Sequence, residues 1–261
     1  AATTYNADEC RGRAASLSNP REARFNMGRR GAVAMRATLA LALPQRCALC
    51  ARACVDACMC VDCVDAIAAP GPACPRCAAP SPSGATCGRC LAHPPAFDAA
   101  LAAGLYVFPL DRLVVRLKYA ADLPLADALG AHLARVAMAV GAVARVDALV
   151  PMPLAPARQR ARGCNQAREI AKALSRATGL PIAPGLLRLK HGTPQAALPW
   201  RERVRNVRGA FAAAVAFDGM RIALVDDVMT TGATASAAAG ALKRAGAARV
   251  EAWVVARTPA H

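Results

Sequence analysis

A chain of 261 residues is long enough for one good hydrophobic core and a small extra module. Hydrophobic residues make up 56%, but Ala inflates that share, aromatics reach only 4%, and no apolar run approaches the length of a membrane-spanning helix, so a helical membrane protein is excluded. With 33 Lys and Arg against 17 Asp and Glu the formal charge is +16, which suits polyanionic partners such as nucleic acid or pyrophosphate, although part of the Arg excess is compositional.

Residues 1–46 are poor in large apolar side chains and rich in Arg, Ala and small polar residues, so they are predicted to be disordered or foreign to the folded unit. Met27 and Met35 are alternative starts. Arg36 and the apolar residues 37–43 resemble a signal sequence only faintly, because the run is at the short limit and no small-residue cleavage site follows it. Export is not expected; a cytoplasmic location is.

Residues 47–90 hold ten of the 12 Cys. Cys47-x2-Cys50, nine residues and Cys60-x2-Cys63 form one unit; Cys74-x2-Cys77, nine residues and Cys87-x2-Cys90 form a second with the same internal spacing. Each C-x-x-C turn presents two thiolates to one ion, and two turns supply the four that tetrahedral zinc takes. So short a segment, broken by Pro70, Gly71, Pro72, Pro75, Pro80, Gly84 and Gly88, has too few large apolar residues to fold without staples. Disulfides would need an oxidising compartment, for which nothing else in the chain argues, and no thioredoxin-like pattern surrounds the pairs. A double zinc ribbon over residues 47–93 is therefore expected, with two structural ions and no open position for a catalytic water. Cys54 and Cys58 are out of register and could replace Cys50 or Cys60 in the first site.

After a Pro-containing linker, alternating patterns predict a strand over 99–107, helices over 110–119 and 123–142, a strand over 147–150, a helix over 165–178 and a strand over 186–190. The 147–150 strand runs into a basic loop with Arg158, Arg160 and Arg162, and open α/β sheets bind ligands at that edge. Residues 191–208, with Arg201, Arg203, Arg205 and Arg208, show little apolar periodicity and read as a long functional loop. A last strand is predicted over 250–256. The class is α/β: a doubly wound, mostly parallel sheet over 99–261, behind the small N-terminal Cys module.

The most informative stretch is RIALVDDVMTTGAT, residues 221–234. Residues 221–225 read as a buried strand, Asp226 and Asp227 follow, and a helix is predicted from about Ala235. Strand, small polar loop and helix is the geometry of a phosphate site, in which loop N–H groups and the helix N-terminus converge on an anion. Gly232 lets the backbone approach it closely. Paired carboxylates suit two ribose hydroxyls or a hydrated metal ion. Carboxylates at one end and a phosphate cradle at the other describe a ribose 5-phosphate. The ordinary alternative, Asp and Thr merely capping a helix, does not ask for this combination.

This stretch closely resembles the phosphoribosyl pyrophosphate (PRPP) signature of type I phosphoribosyltransferases. The wider pattern is similar to the ComF family, carried by the Cys pairs, Leu117-Lys118-Tyr119, Val150-Pro151-Met152-Pro153-Leu154, Arg162-Gly163-Cys164-Asn165-Gln166-Ala167, Thr193-Pro194-Gln195, Arg203-Val204-Arg205-Asn206-Val207 and residues 225–234. The family usually has Phe where Cys164 stands. The resemblance implies a phosphoribosyltransferase-like sheet with a small hood over 186–217. It places the 5-phosphate on Thr230, Thr231, Gly232, Ala233 and Thr234, and the ribose hydroxyls on Asp226 and Asp227 with Mg²⁺ bridging to pyrophosphate. It turns Arg158, Arg162 and Lys118 to the pyrophosphate and closes Arg201, Arg203 and Arg205 over it. It further implies a part in competence at the cytoplasmic side of DNA import, with single-stranded DNA and DNA-uptake proteins as partners. Phosphoribosyl transfer and non-catalytic binding of a nucleotide or single-stranded DNA both stay open, as does self-association; the few aromatics argue against base stacking as the main means of binding DNA.

Overall fold

The computed structural model describes residues 45–54, 58–67, 71–120, 122–155, 159, 163–189 and 209–259. Residues 1–44, Arg158, Arg160, Arg162 and the long basic loop 191–208 lie outside them. Arg46–His261 forms one compact unit, so the Cys segment and the sheet belong together; Ala1–Gln45 is a separate unit. The expected tail therefore lies almost wholly outside the described residues.

The α/β part begins with β1 (Ala99–Leu105), α1 (Leu110–Ala120), α2 (Leu123–Ala139), β2 (Ala148–Pro151) and α3 (Gln166–Thr178). It continues with β3 (Leu186–Arg188), β4 (Phe211–Ala213), β5 (Arg221–Met229), α4 (Ala233–Arg244) and β6 (Arg249–Arg257). Four strands make a parallel sheet in the order β1-β6-β5-β2, and β3 and β4 form a separate antiparallel pair. Among the described residues no helix is long and apolar enough to cross a membrane.

The central strands are apolar on both faces, which is why they read as continuous hydrophobic runs. Ile222 and Leu224 of β5, with Val250, Ala252 and Val254 of β6, face one core, where Ala238 and Leu242 of α4 pack. Ala223, Val225, Trp253 and Val255 face the other, with Leu113 and Leu117 of α1, Leu129 and Leu133 of α2, and Ile170 and Leu174 of α3. Helices thus cover both faces. Gly130 lets α2 approach α3 closely: a Cβ there would stand 2.6 Å from both the Ala173 Cβ and the Ile170 carbonyl oxygen. At the far edge, buried Glu251 accepts from Trp253 Nε1 at 3.1 Å, Arg145 Nε at 3.2 Å and Arg249 Nε at 3.0 Å, so its charge is fully engaged.

Asp98 fixes the linker to this sheet. Its Oδ2 accepts from Val250 N at 2.9 Å, its Oδ1 from Lys243 Nζ at 2.7 Å, and its own N–H donates to Val250 O at 2.7 Å. Burial works to raise its pKa, but Lys243 and the Val250 N–H outweigh burial and hold the carboxyl below the usual range. A depressed carboxylate stabilises the fold above its unfolded pKa of about 4, and that contribution fades as pH falls through the lower folded value. Asp98→Asn is expected to cost about 1–2 kcal/mol in urea unfolding at pH 7. The gap to the parent should narrow below about pH 4; a gap independent of pH would remove the ion pair from the account.

Candidate functional site

Neighbouring strands β2 and β5 send their chains to opposite faces, β2 into α3 and β5 into α4. A crevice opens at the carboxyl ends of strands where this happens. Pairing with β2 stops at Pro151–Val225, whereas pairing with β6 runs on to Met229–Arg257. The sequence places the end of β5 at Val225; it extends through both acids because β6 keeps supplying ladder partners. Asp226 and Asp227 therefore stand on a strand edge that β2 has left, beside the crevice.

Each acid accepts from the next backbone N–H, Asp226 Oδ1 from Asp227 N at 2.9 Å and Asp227 Oδ1 from Val228 N at 2.7 Å. Burial, and then the adjacent Asp227 charge, push the Asp226 carboxyl up to about 8. Lys118, which the resemblance turns to pyrophosphate, lies 3.3 Å from Asp227 Oδ2. Such a pair can accept from two hydroxyls or hold a hydrated cation.

Gly232 takes a left-handed conformation, φ 77°, which turns the chain from the loop straight into α4. The helix begins at Ala233, two positions ahead of the sequence expectation, so Ala233 and Thr234 lie in its first turn. First-turn N–H groups have no acceptor within their own helix. Ala233 N donates to Thr231 Oγ1 at 3.3 Å. Loop, helix N-terminus and the two acids are all within nine residues of chain, at one edge of the sheet.

Two arginines that sequence reasoning passed over hold this loop from behind. Arg257, the last residue of β6, is 2% exposed. Its Nη1 donates to Met229 O at 3.1 Å and to Thr230 O, and its Nε to Cys77 O at 2.8 Å. Arg89, inside the last C-x-x-C, donates from Nη2 to Thr231 O at 2.7 Å. Neither has a local signal; both act across long stretches of chain. Asn165 of the Arg-Gly-Cys-Asn-Gln motif has an architectural place: it caps α3 by accepting from Arg168 N at 3.3 Å and donates from Nδ2 to Met152 O at 3.1 Å.

The Cys repeat is repeated in three dimensions. Cys47 N donates to Arg52 O and Ala51 N to Cys47 O; Cys74 N donates to Ala79 O and Ala78 N to Cys74 O. Ala51 and Ala78, at equivalent positions, both have positive φ, 59° and 54°. The ligand atoms of Cys47, Cys50, Cys60 and Cys63 lie within 4.8 Å of one another, and so do those of Cys74, Cys77, Cys87 and Cys90. Sγ separations of 3.6 Å for Cys50–Cys60 and 3.7 Å for Cys77–Cys87 match a tetrahedral Zn–S length of about 2.3 Å and exceed the disulfide bond length of about 2.05 Å. Each group could hold a metal ion, and an all-sulfur tetrahedral set fits zinc. Burial raises the Cys47 and Cys74 thiols, but backbone N–H groups outweigh it and bring them down to about 6 and about 7. Cys54 and Cys58 stay outside both groups: Cys54 Sγ turns to Arg52 O, and burial pushes Cys58 up to about 11.

The two groups differ in setting. In the first, Cys50 is exposed, and the unit meets α1 through Arg116 Nη1 donating to Ala48 O at 3.3 Å. In the second, Cys74, Cys77 and Cys90 are buried in the same core as Phe97, Met229 and Ala233, directly behind the Thr loop.

This chain is 36% identical to competence protein F of Haemophilus influenzae over 180 residues, 66% of this chain and 78% of the relative. The chain belongs to the ComF family. Other relatives are the DNA utilization proteins YhgH of Salmonella typhimurium, 34% identical over 191 residues, and of Escherichia coli K12, 33% identical over 190; each match covers 71% of this chain and 84% of the relative. No protein-family model matches. Among solved structures, the Bacillus subtilis glutamine PRPP amidotransferase matches at 20% identity and a TM-score of 0.37, covering 53% of this chain and 30% of that one. The purine phosphoribosyltransferase of Pyrococcus horikoshii matches at 16% and 0.28, covering 59% and 74%.

Cys50→Ser and Cys77→Ser in this ComF-family chain should each lower bound zinc from about two ions to about one per chain, measured on purified protein. The Cys77 variant should lose more thermal stability, because three of its site's four ligands are buried behind the Thr loop, whereas only Cys47 is buried in the first site. Equal losses from both variants would contradict the difference in setting.

Proposed function

We propose that this chain binds PRPP together with Mg²⁺ at the carboxyl edge of β5 and transfers its phosphoribosyl group in the use of imported DNA. The observation that carries this reading is the junction at the β2–β5 crevice, where two carboxylates on an open strand edge run through a three-residue turn into a helix N-terminus. The loop N–H groups of Thr230, Thr231, Gly232, Ala233 and Thr234 receive the 5-phosphate, aided by the partial positive charge of α4. Asp226 and Asp227 accept from the ribose hydroxyls. When bound, Mg²⁺ supplies charge neutralisation between ribose and pyrophosphate, held by these acids. Lys118, already paired to Asp227, is placed to exchange that partner for a phosphate oxygen, and Arg158 and Arg162 complete the anion's surroundings. As the C1–O bond to pyrophosphate breaks, the ribose gains oxocarbenium character and the departing anion gains charge, so holding the sugar and neutralising the leaving group are the protein's tasks. The names of its relatives support a role in competence or DNA utilisation, and zinc in both Cys₄ groups supplies shape rather than chemistry. A cytoplasmic site of action follows from that role.

A second reading, a single-stranded DNA-binding module, draws on α1. Phe108 and Tyr119, 74% and 79% exposed, flank Arg112 and Arg116 there. The formal charge of +16 points the same way.

Calorimetric titration with PRPP and Mg²⁺ should show binding that Asp226→Asn with Asp227→Asn weakens at least tenfold; unchanged affinity would refute the ribose assignment. Pyrophosphate release in the presence of candidate bases and amines would then identify the acceptor. If α1 carries DNA, affinity for single strands should fall steeply with salt, and less steeply once Arg112 and Arg116 are replaced by Gln. A flat series would remove the second reading.

A further inference from the structure

The carbonyl oxygens of Met229, Thr230 and Thr231 are successive along the chain, and all three accept from guanidinium groups, the first two from Arg257 and the third from Arg89. The one cis peptide among the described residues is Phe108–Pro109, so the peptides here are trans. In a planar trans peptide the C=O of one residue and the N–H of the next point in opposite directions. Turning these three carbonyls toward the arginines therefore turns the N–H groups of Thr230, Thr231 and Gly232 away from them. A run of N–H groups sharing one side is an anion-binding concavity. The hydrogen-bond donors that create it belong to the opposite side of the loop.

Both guanidinium groups are also tied to the second Cys₄ unit. Arg257 Nε donates to Cys77 O at 2.8 Å, and Arg89 lies between Cys87 and Cys90. Four thiolates around a dication carry a net charge of about −2, which matches two guanidinium cations. The first Cys₄ centre, docked on α1, makes no such bridge among the described residues.

We infer that Arg257 and Arg89 are positioning residues for the 5-phosphate, and that through them the second Cys₄ centre, not the first, sets the loop's affinity for phosphate. This rests on the PRPP reading of the Thr loop. It makes phosphate binding responsive to metal loss or thiol oxidation at one of two sites with identical spacing.

Two probes separate the loop from the rest of the site: ribose 5-phosphate, which needs the loop, and Mg²⁺-pyrophosphate, which does not. Calorimetry on the full chain is expected to show Arg89→Gln binding ribose 5-phosphate about tenfold more weakly with pyrophosphate affinity unchanged, and Arg89→Lys recovering much of the loss. Arg89 is only half-buried, so its variant should fold; melting temperature checks this. Cys87→Ser should reproduce the selective loss and Cys50→Ser should not. Parental ribose 5-phosphate affinity in Arg89→Gln, or equal loss of both probes in a folded Arg89→Gln protein, would overturn the inference while leaving the PRPP reading intact. If the parent binds pyrophosphate but not ribose 5-phosphate or PRPP, both fall.

Discussion

A buried guanidinium needs acceptors on all sides, and Arg257 finds them in backbone carbonyls from three separate segments: Cys77 in the Cys module, Met229 and Thr230 at the end of β5, and Thr258 next to itself. Taking a cation out of water is unfavourable unless its hydrogen bonds are replaced. The replacement here joins the ribbon, the sheet and the loop into one arrangement. Because Arg257 ends β6 and pairs in register with Met229, the sheet itself sets where this charge sits. The loop conformation is thereby a consequence of tertiary structure, not of local turn preference alone.

The two Cys units show how one local design acquires different duties from its surroundings. Their spacing, backbone hydrogen bonds and left-handed alanines coincide, so each folds by the same local rules. Only the second contributes to the core behind the loop, alongside Phe97 and Met229. The first packs Met59 and Ile67 into the core on the other face of the sheet, and is also held by Arg116 and by Arg135, which reaches Asp65 at 3.4 Å. Exposed pairs of the latter kind contribute little stability.

Much of this was readable from residues. The alternation of β-branched and Ala-rich segments fixes the order of strands and helices, since apolar runs in a parallel sheet need no polar face. The Cys spacing points to both Cys₄ groups, the first with Cys54 and Cys58 left open as alternatives, and the strand–Asp–Asp–Thr–Gly run marks the carboxyl end of β5. Two kinds of feature were not readable. The extent of β5 past Val225 depends on a partner strand far along the chain, and carboxylates give no strand signal of their own. The arginines behind the loop are separated from it by as many as 142 residues, and in an Arg-rich chain no composition marks Arg89 or Arg257 from their neighbours. Lys118 was singled out by its motif, but its pairing with Asp227 follows from α1 packing on that face of the sheet.

The central claim is that the turn after β5 presents backbone N–H groups to a sugar phosphate. Amide-resolved NMR of the isotope-labelled chain during titration with ribose 5-phosphate tests it most directly. The account predicts that the largest shifts fall on the amides of Thr231, Gly232 and Thr234, in the downfield direction of strengthened hydrogen bonds. Shifts confined to other elements, with these amides unmoved at saturation, would contradict it.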